Sequence, residues 1–313
     1  VSAPLPTTHV AQIPEASDTS AWLVRHLWPE NSVGLIFGAP KLGKTWLSLD
    51  LALSVSSGTP CLGAFAVDRP GPALLYLAED SLQSVRARVE GLCRHRGIGL
   101  QQAELHFITV PRLRLDHHED SRALRATVEK LQPRLLLLDP LVRVHAQDEN
   151  DSGAISALLA SLRQLQRDHH VCVGLVHHTR KNGGGPQGYA LRGSGDLYAW
   201  GDVYACLTRR EGGLRLSTEH RCHPSREPIG LKLVSLPDGS CTHLELAQML
   251  PTSTNHALEQ AVLAELVESR LPLRRMHLRA RLKVNNLRLG LVLEDLRQRG
   301  RVRKDPAGWV AVQ

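Results

Sequence analysis

The stretch GAPKLGKT at residues 38–45 constrains this chain more than any other. It reads G-x-x-x-x-G-K-T and sits between the apolar run VGLIF (33–37) and a helix-forming segment that starts near Lys44. A strand, a tight glycine-containing loop and a helix, in that order, make a cradle of backbone N–H groups. The positive end of the helix then adds to the attraction for phosphate. Gly38 and Gly43 permit the backbone path, since glycine alone enters the left-handed region without strain. Ala39, Pro40, Lys41 and Leu42 complete the loop, and Trp46 follows it beside the expected nucleotide. Lys44 is placed to reach the β- and γ-phosphates, and Thr45 to ligate Mg²⁺ through its hydroxyl.

The surrounding pattern says what sheet carries this loop. Continuous apolar runs recur at 33–37, 73–78, 105–110, 135–139 and 171–178, and helical stretches lie between them at 44–56, 82–96, 119–131 and 153–169. Unbroken rather than alternating apolar strands belong to a parallel sheet covered on both faces. The expected fold is therefore an α/β P-loop domain with a mostly parallel sheet. Three later runs, 203–210, 213–221 and 229–236, lack intervening helices and are expected as an antiparallel extension of the sheet edge.

Acidic and basic residues at strand ends complete a candidate site. Asp139 closes the run RLLLLD, where a carboxylate beside the loop can hold Mg²⁺; the alternative is a cap or turn before Pro140. Glu79 and Asp80 close ALLYLAED. Glu79 is the favoured base for polarising an attacking water, and Asp80 is expected to cap the next helix. Arg86 and Arg88 lie on that helix, and either one can return to the phosphates or pair on the surface. His177 and His178 end a further strand, where an imidazole can sense the γ-phosphate.

Charge is unevenly placed. Of the net +7, +6 falls on residues 256–313, which points that segment towards a polyanion. The segment reads as three helices followed by a basic hairpin around Asp-Pro-Ala-Gly, the order of a winged helix. Its recognition helix is expected at 285–299, with Asn285, Asn286 and Arg288 near the start, and its wing carries Arg301, Arg303 and Lys304. The division expected is an N-terminal extension (1–19), an ATPase domain (20–250), a linker (251–255) and a DNA-binding domain (256–313). Residues 179–195 form a glycine-rich loop. No apolar run approaches the roughly eighteen residues of a membrane span. The start of the chain is not patterned as a secretory signal. The six cysteines show no C-x-x-C spacing and are expected as free thiols in a cytoplasmic protein.

Taken together, GAPKLGKT, LLYLAED, LLLLDPL, GLVHHTRK and LRGSGDLYAWGDV, in that order, resemble the RecA-like ATPases of the RepA type, hexameric replicative helicases of broad-host-range plasmids. The resemblance covers roughly residues 20–240. It implies ATP and Mg²⁺ as cofactors, a homo-oligomeric ring with the site at a subunit interface, and single-stranded DNA through the centre. It also implies Glu79 as catalytic base, Arg88 on phosphate, Asp139 on the metal and His178 as the γ-phosphate sensor. Arg221 is the best match to an arginine finger supplied to the neighbouring subunit, with Arg226 the fallback. Glu219 stands where related helicases carry a lysine. Arg180, Lys181 and Arg192 of the glycine-rich loop match the DNA-contacting region. The competing reading is a nucleotide-switched DNA-binding ATPase, such as a loader, partition or regulatory protein. A signalling ATPase without a DNA role fits the basic tail least.

Overall fold

The computed structural model describes residues 4–13, 22–147, 152–179, 195–210, 213–225, 227–236, 241–247, 253–269, 271–284, 286–298 and 300–312. Two compact units divide the chain, Val1–Ala247 and Gln248–Gln313.

In the larger unit, β1 (Trp22–Val24) and β2 (Trp28–Pro29) form a small separate ribbon. Then follow β3 (Val33–Gly38), α1 (Lys44–Ser57), β4 (Ala73–Leu77), α2 (Leu82–His95), β5 (Leu105–Phe107), α3 (His118–Leu131), β6 (Leu135–Asp139), α4 (Ser152–His169) and β7 (Cys172–His178). The unit closes with α5 (Gly195–Trp200), β8 (Val203–Arg210), β9 (Gly213–His220), β10 (Ile229–Ser235) and β11 (Thr242–Leu246). Nine strands make one sheet in the order β11-β10-β9-β8-β3-β7-β6-β4-β5. This is the mostly parallel sheet of a RecA-like core.

The four leucines of β6 show why such runs become central strands. Leu135 and Leu137 enter the layer built with α1 and α2, whereas Leu136 and Leu138 enter the layer built with α3 and α4. Every one of them is fully buried. A strand alternates its side chains, so a doubly covered strand must be apolar at every position.

The C-terminal edge departs from the sequence expectation in two ways. β8 pairs parallel with β3, so it belongs to the parallel core and not to the antiparallel extension. The turn to antiparallel comes one strand later, between β8 and β9. The final edge strand is β11, which the residue pattern left unassigned; it pairs with β10. Residues 4–13 are exposed and carry one turn of 3-10 helix at Val10–Gln12. All six cysteines are free, and only Cys222 is exposed.

The smaller unit contains α6 (Ser253–Ser269), α7 (Arg275–Leu282), α8 (Asn286–Gln298) and a hairpin of β12 (Val302–Asp305) and β13 (Gly308–Ala311). α6 already begins at Ser253, inside the stretch expected as linker. Leu258, Val262, Leu278, Leu289, Leu293 and Trp309 lie in its own small core. Leu273 and Trp309 bridge backbone to backbone, tying the segment before α7 to the hairpin. No helix of the described residues is long and apolar enough to cross a membrane.

Candidate active site

Strand register gathers the site. Gly38, the last residue of β3, lies opposite His178 of β7, and Leu77 of β4 lies opposite Asp139 of β6. The phosphate loop, Glu79, Asp139 and His178 therefore share the C-terminal edge of the parallel strands, where α/β sheets bind ligands. The loop needs its glycines for steric reasons. Gly43 has φ of +86°, and a Cβ on Gly38 would sit 2.3 Å from the carbonyl oxygen of Leu207.

A cleft of about 410 Å³ opens at this edge. Lys41, Gly43, Lys44, Thr45, Trp46, Glu79, Asp80, Arg88, Asp139 and His178 line it, as does Leu233 of β10. Ala39, Pro40 and Leu42 do not line it, although the Ala39 carbonyl accepts from Lys44. Pro40 is exposed, and Leu42 packs against the α1–α2 core. Leu233 had no signal in the sequence, because a late antiparallel strand gives no hint of reaching a phosphate loop.

Lys44 is 4% exposed, and its Nζ donates to the carbonyl oxygens of Gly38 (3.0 Å) and Ala39 (2.9 Å). Burial pulls its pKa below the ordinary lysine value, and the charge of Asp139 partly restores it. The Thr45 hydroxyl donates to Asp139 Oδ2 at 2.8 Å. Burial pushes the Asp139 carboxyl up to about 6, against the pull of the Thr45 hydrogen bond and the Lys44 charge, with Asp80 and Glu79 adding to the rise. Thr45 and Asp139 thus offer two adjoining hard oxygen donors of the kind Mg²⁺ takes. A divalent ion would also relieve the cost of burying the carboxylate.

Glu79 and Arg88 are each held by an ion-pair partner. Arg143 Nε donates to Glu79 Oε1 at 2.9 Å, with both side chains at least half exposed. Arg88 forms a two-pronged pair with Asp80, at 3.0 and 2.8 Å, and lies 5.3 Å from the centre of the Trp46 ring. Asp80 is therefore not the cap of α2. Ser81 is the N-cap, its hydroxyl accepting from Ser84 N–H, because a carboxylate beside Arg88 gains more from the guanidinium. Of the two arginines on α2, Arg88 lines the cleft, and Arg86 pairs with Glu90 on the exposed face. Arg143 was not singled out in the sequence; it follows LLLLDPLV in a short 3-10 turn with no motif of its own.

Arg221 lies elsewhere in the unit. It follows His220, which pairs with Val203 at the edge where β3 begins, the opposite end of the sheet from the phosphate loop. Five residue steps of β3 separate the two edges, roughly 17 Å of strand. Arg221 Nη2 donates to the carbonyls of Ala199 (2.6 Å) and Gly201 (3.1 Å). Glu219 accepts from the Tyr198 hydroxyl at 3.1 Å. Arg221 cannot serve the cleft of its own chain. Arg180, Lys181, Arg192, Arg226 and Asn285 lie outside the described residues, as do the side chains of Asn286 and Arg288, whose backbone is in α8. Arg301, Arg303 and Lys304 are exposed on the hairpin, Lys304 Nζ lying 5.9 Å from the Trp309 ring centre.

The chain matches the AAA_25 family model, described as an AAA domain, over residues 2–184. It belongs to this AAA domain family. The match spans the phosphate loop, Glu79, Asp139 and His178. A solved structure described as a DnaB-like replicative helicase and its interactions with primase is similar in fold, with a TM-score of 0.51 at 16% identity. The similarity covers 68% of this chain and 57% of that one, so the chain spans little more than half of the helicase's length.

Proposed function

We propose that this AAA domain protein is the ATP-hydrolysing subunit of an oligomeric ring motor on DNA, a replicative helicase or translocase of the RepA type. The observation that carries the reading is the Thr45–Asp139 contact at 2.8 Å beside buried Lys44, with Glu79 and His178 on the same cleft. Lys44 would leave its loop carbonyls for the phosphates as nucleotide enters. Mg²⁺ held by Thr45 and Asp139 would neutralise charge on the β- and γ-phosphates. Glu79, once released by Arg143, would accept the proton of the attacking water. His178, beside Gly38, would hydrogen-bond the γ-phosphate and report its loss.

Two features support a site completed by a second copy. Arg221 lies at the sheet edge away from its own loop, as a finger supplied in trans requires. The resemblance to RepA-type rings also supports ATP lying at a subunit boundary. A homo-oligomer, with six copies as the natural count, would then carry single-stranded DNA past Arg180, Lys181 and Arg192. The C-terminal unit would act as a winged helix on duplex DNA, through Asn285, Arg288, Arg301, Arg303 and Lys304.

The second reading is a nucleotide-switched DNA-binding ATPase that does not unwind. The salt bridge between Arg143 and Glu79 favours it, because a base held by a cation suits slow, regulated hydrolysis. A forked-duplex unwinding assay separates the two. The motor reading expects ATP-dependent strand separation that Lys44→Ala abolishes. ATP-dependent binding without separation would establish the switch instead.

A further inference from the structure

Away from the nucleotide cleft, the end of α2 and the edge strand β11 bring together groups that hold transition metals. His95 is the last residue of α2, and His243 and Glu245 stand two apart on β11, so the latter two project from one face of the strand. The possible ligand atoms of all three lie within 4.8 Å of one another. The rings of His95 and His243 stack with centroids 3.6 Å apart and 23° between their planes. His243 Nε2 lies 2.7 Å from Glu245 Oε1, and His243 Nδ1 lies 3.5 Å from Cys241 Sγ. Glu245 thus lies at the Nε2 that would face the ion, and Cys241 Sγ lies at the other ring nitrogen, where the orienting partner of a metal-binding histidine usually sits.

His95 and Glu245 open on a second cleft, of about 350 Å³, whose floor includes Asp50 and Arg96. Those two pair at 2.7 Å, so they add no net charge against a cation. Among the described residues this is the one group of three or more His, Cys, Asp or Glu side chains with metal-ligand spacing.

We propose that His95, His243 and Glu245 form a binding site for a divalent transition metal, zinc foremost, distinct from the Mg²⁺ site at Asp139. The donor set carries the choice of ion. Two imidazole nitrogens and one carboxylate oxygen are zinc ligands at about 2.0–2.2 Å, and three protein ligands leave a fourth position open to the cleft. Mg²⁺ prefers an octahedron of oxygens and does not compete for imidazole. An imidazole nitrogen binds metal in the plane of its ring, so the stacked rings would turn as the ligand atoms close by about an ångström or two on one ion.

Such an ion would tie two walls of the nucleotide site together. His95 shares α2 with Arg88, and β11 pairs with β10, in which Leu233 lies opposite Leu244. Arg88 and Leu233 both line the nucleotide cleft. Metal at this site would stiffen the far ends of both elements.

Zinc itself is the probe. Full-length protein, stripped with chelator, is titrated with Zn²⁺ in millimolar Mg²⁺ by calorimetry, and its thermal midpoint is followed. The chain has 16 histidines, so His118→Ala, an exposed site on α3, serves as control for adventitious binding. His243 stays in place because it is buried, and the two accessible ligands are varied as His95→Ala and Glu245→Gln. The expected result is one saturable site of about micromolar affinity or tighter, with a midpoint raised by several degrees as ligand linkage requires. Affinity should fall at least about tenfold in each ligand variant and stay unchanged in the control. Failure of the wild type to saturate below about 100 μM Zn²⁺, or undiminished binding in either ligand variant, overturns the site. The readout is metal binding alone, so it stands or falls independently of DNA unwinding.

Discussion

Two buried aspartates, Asp50 within α1 and Asp139 at the end of β6, are held in opposite ways. Asp50, 4% exposed, accepts from the Arg96 guanidinium at 2.7 Å, from Leu62 N–H at 2.7 Å and from the Cys61 thiol at 3.2 Å. Asp139, 6% exposed, accepts from a neutral hydroxyl and has the Lys44 charge nearby without a salt bridge to it. The first region is closed, since its carboxylate has its own cation and its own donors. The second leaves a buried carboxyl near pH 6 at a strand end that opens on a cleft. A buried charge that is fully paired fixes structure, and one left under-paired is arranged to meet a charged ligand.

Removing each carboxylate should break this contrast in opposite directions. Asp50→Asn leaves Arg96 buried without a counter-charge and should lower stability by about 3–5 kcal/mol in chemical denaturation. With Asp139 holding Mg²⁺ as proposed, Asp139→Asn should reduce ATP turnover by at least about 100-fold in a phosphate-release assay. The same Asp139 variant should make the nucleotide-free fold more stable by about 1–3 kcal/mol at pH 7.5.

The sign of that gain follows from a folded pKa raised above its ordinary value of 3.8 to about 6. An ionised Asp139 opposes folding in full above about pH 6. The opposition fades as pH falls from 6 to 3.8 and is absent below. Thermal midpoints of wild type and Asp139→Asn should therefore converge across that window; a constant gap would mean that the carboxyl is not the source. The smallest effect belongs to Arg88→Ala. Its partly exposed pair with Asp80 is worth little to folding, so stability should hardly move. The KM for ATP should rise about fivefold, equivalent to about 1 kcal/mol of lost binding.

Much of the core was legible because its causes are local. Apolar runs and intervening amphipathic stretches gave the strands and helices of the parallel sheet to within a residue or two in most cases, Leu105–Phe107 being shorter than its run. Gly43 of GAPKLGKT needed only its own backbone angle, whereas Gly38 is also required by the close approach of Leu207 from β8. β8 was misread because a run of strands without helices looks the same whether its first member joins a parallel or an antiparallel neighbour. β11 was missed because THLEL is too short to stand out without β10 beside it. Within the cleft, Lys44 and Thr45 at the start of α1 and Asp139 at the end of β6 were legible from residue type and position. Arg143 on Glu79 and Arg88 on Asp80 were not, since side-chain partners follow from three-dimensional placement.

The sequence by itself determined an α/β sheet, a phosphate-binding loop and acids at the ends of two strands, since periodicity and glycine act over a few neighbouring residues. Only the tertiary structure decided which strand lies beside which, and hence that Leu233 joins the nucleotide cleft and that Arg221 lies at the sheet's other edge. It alone brought His95 to His243 across nearly half the chain. Those choices rest on packing and pairing between distant segments, whose energies no local pattern records.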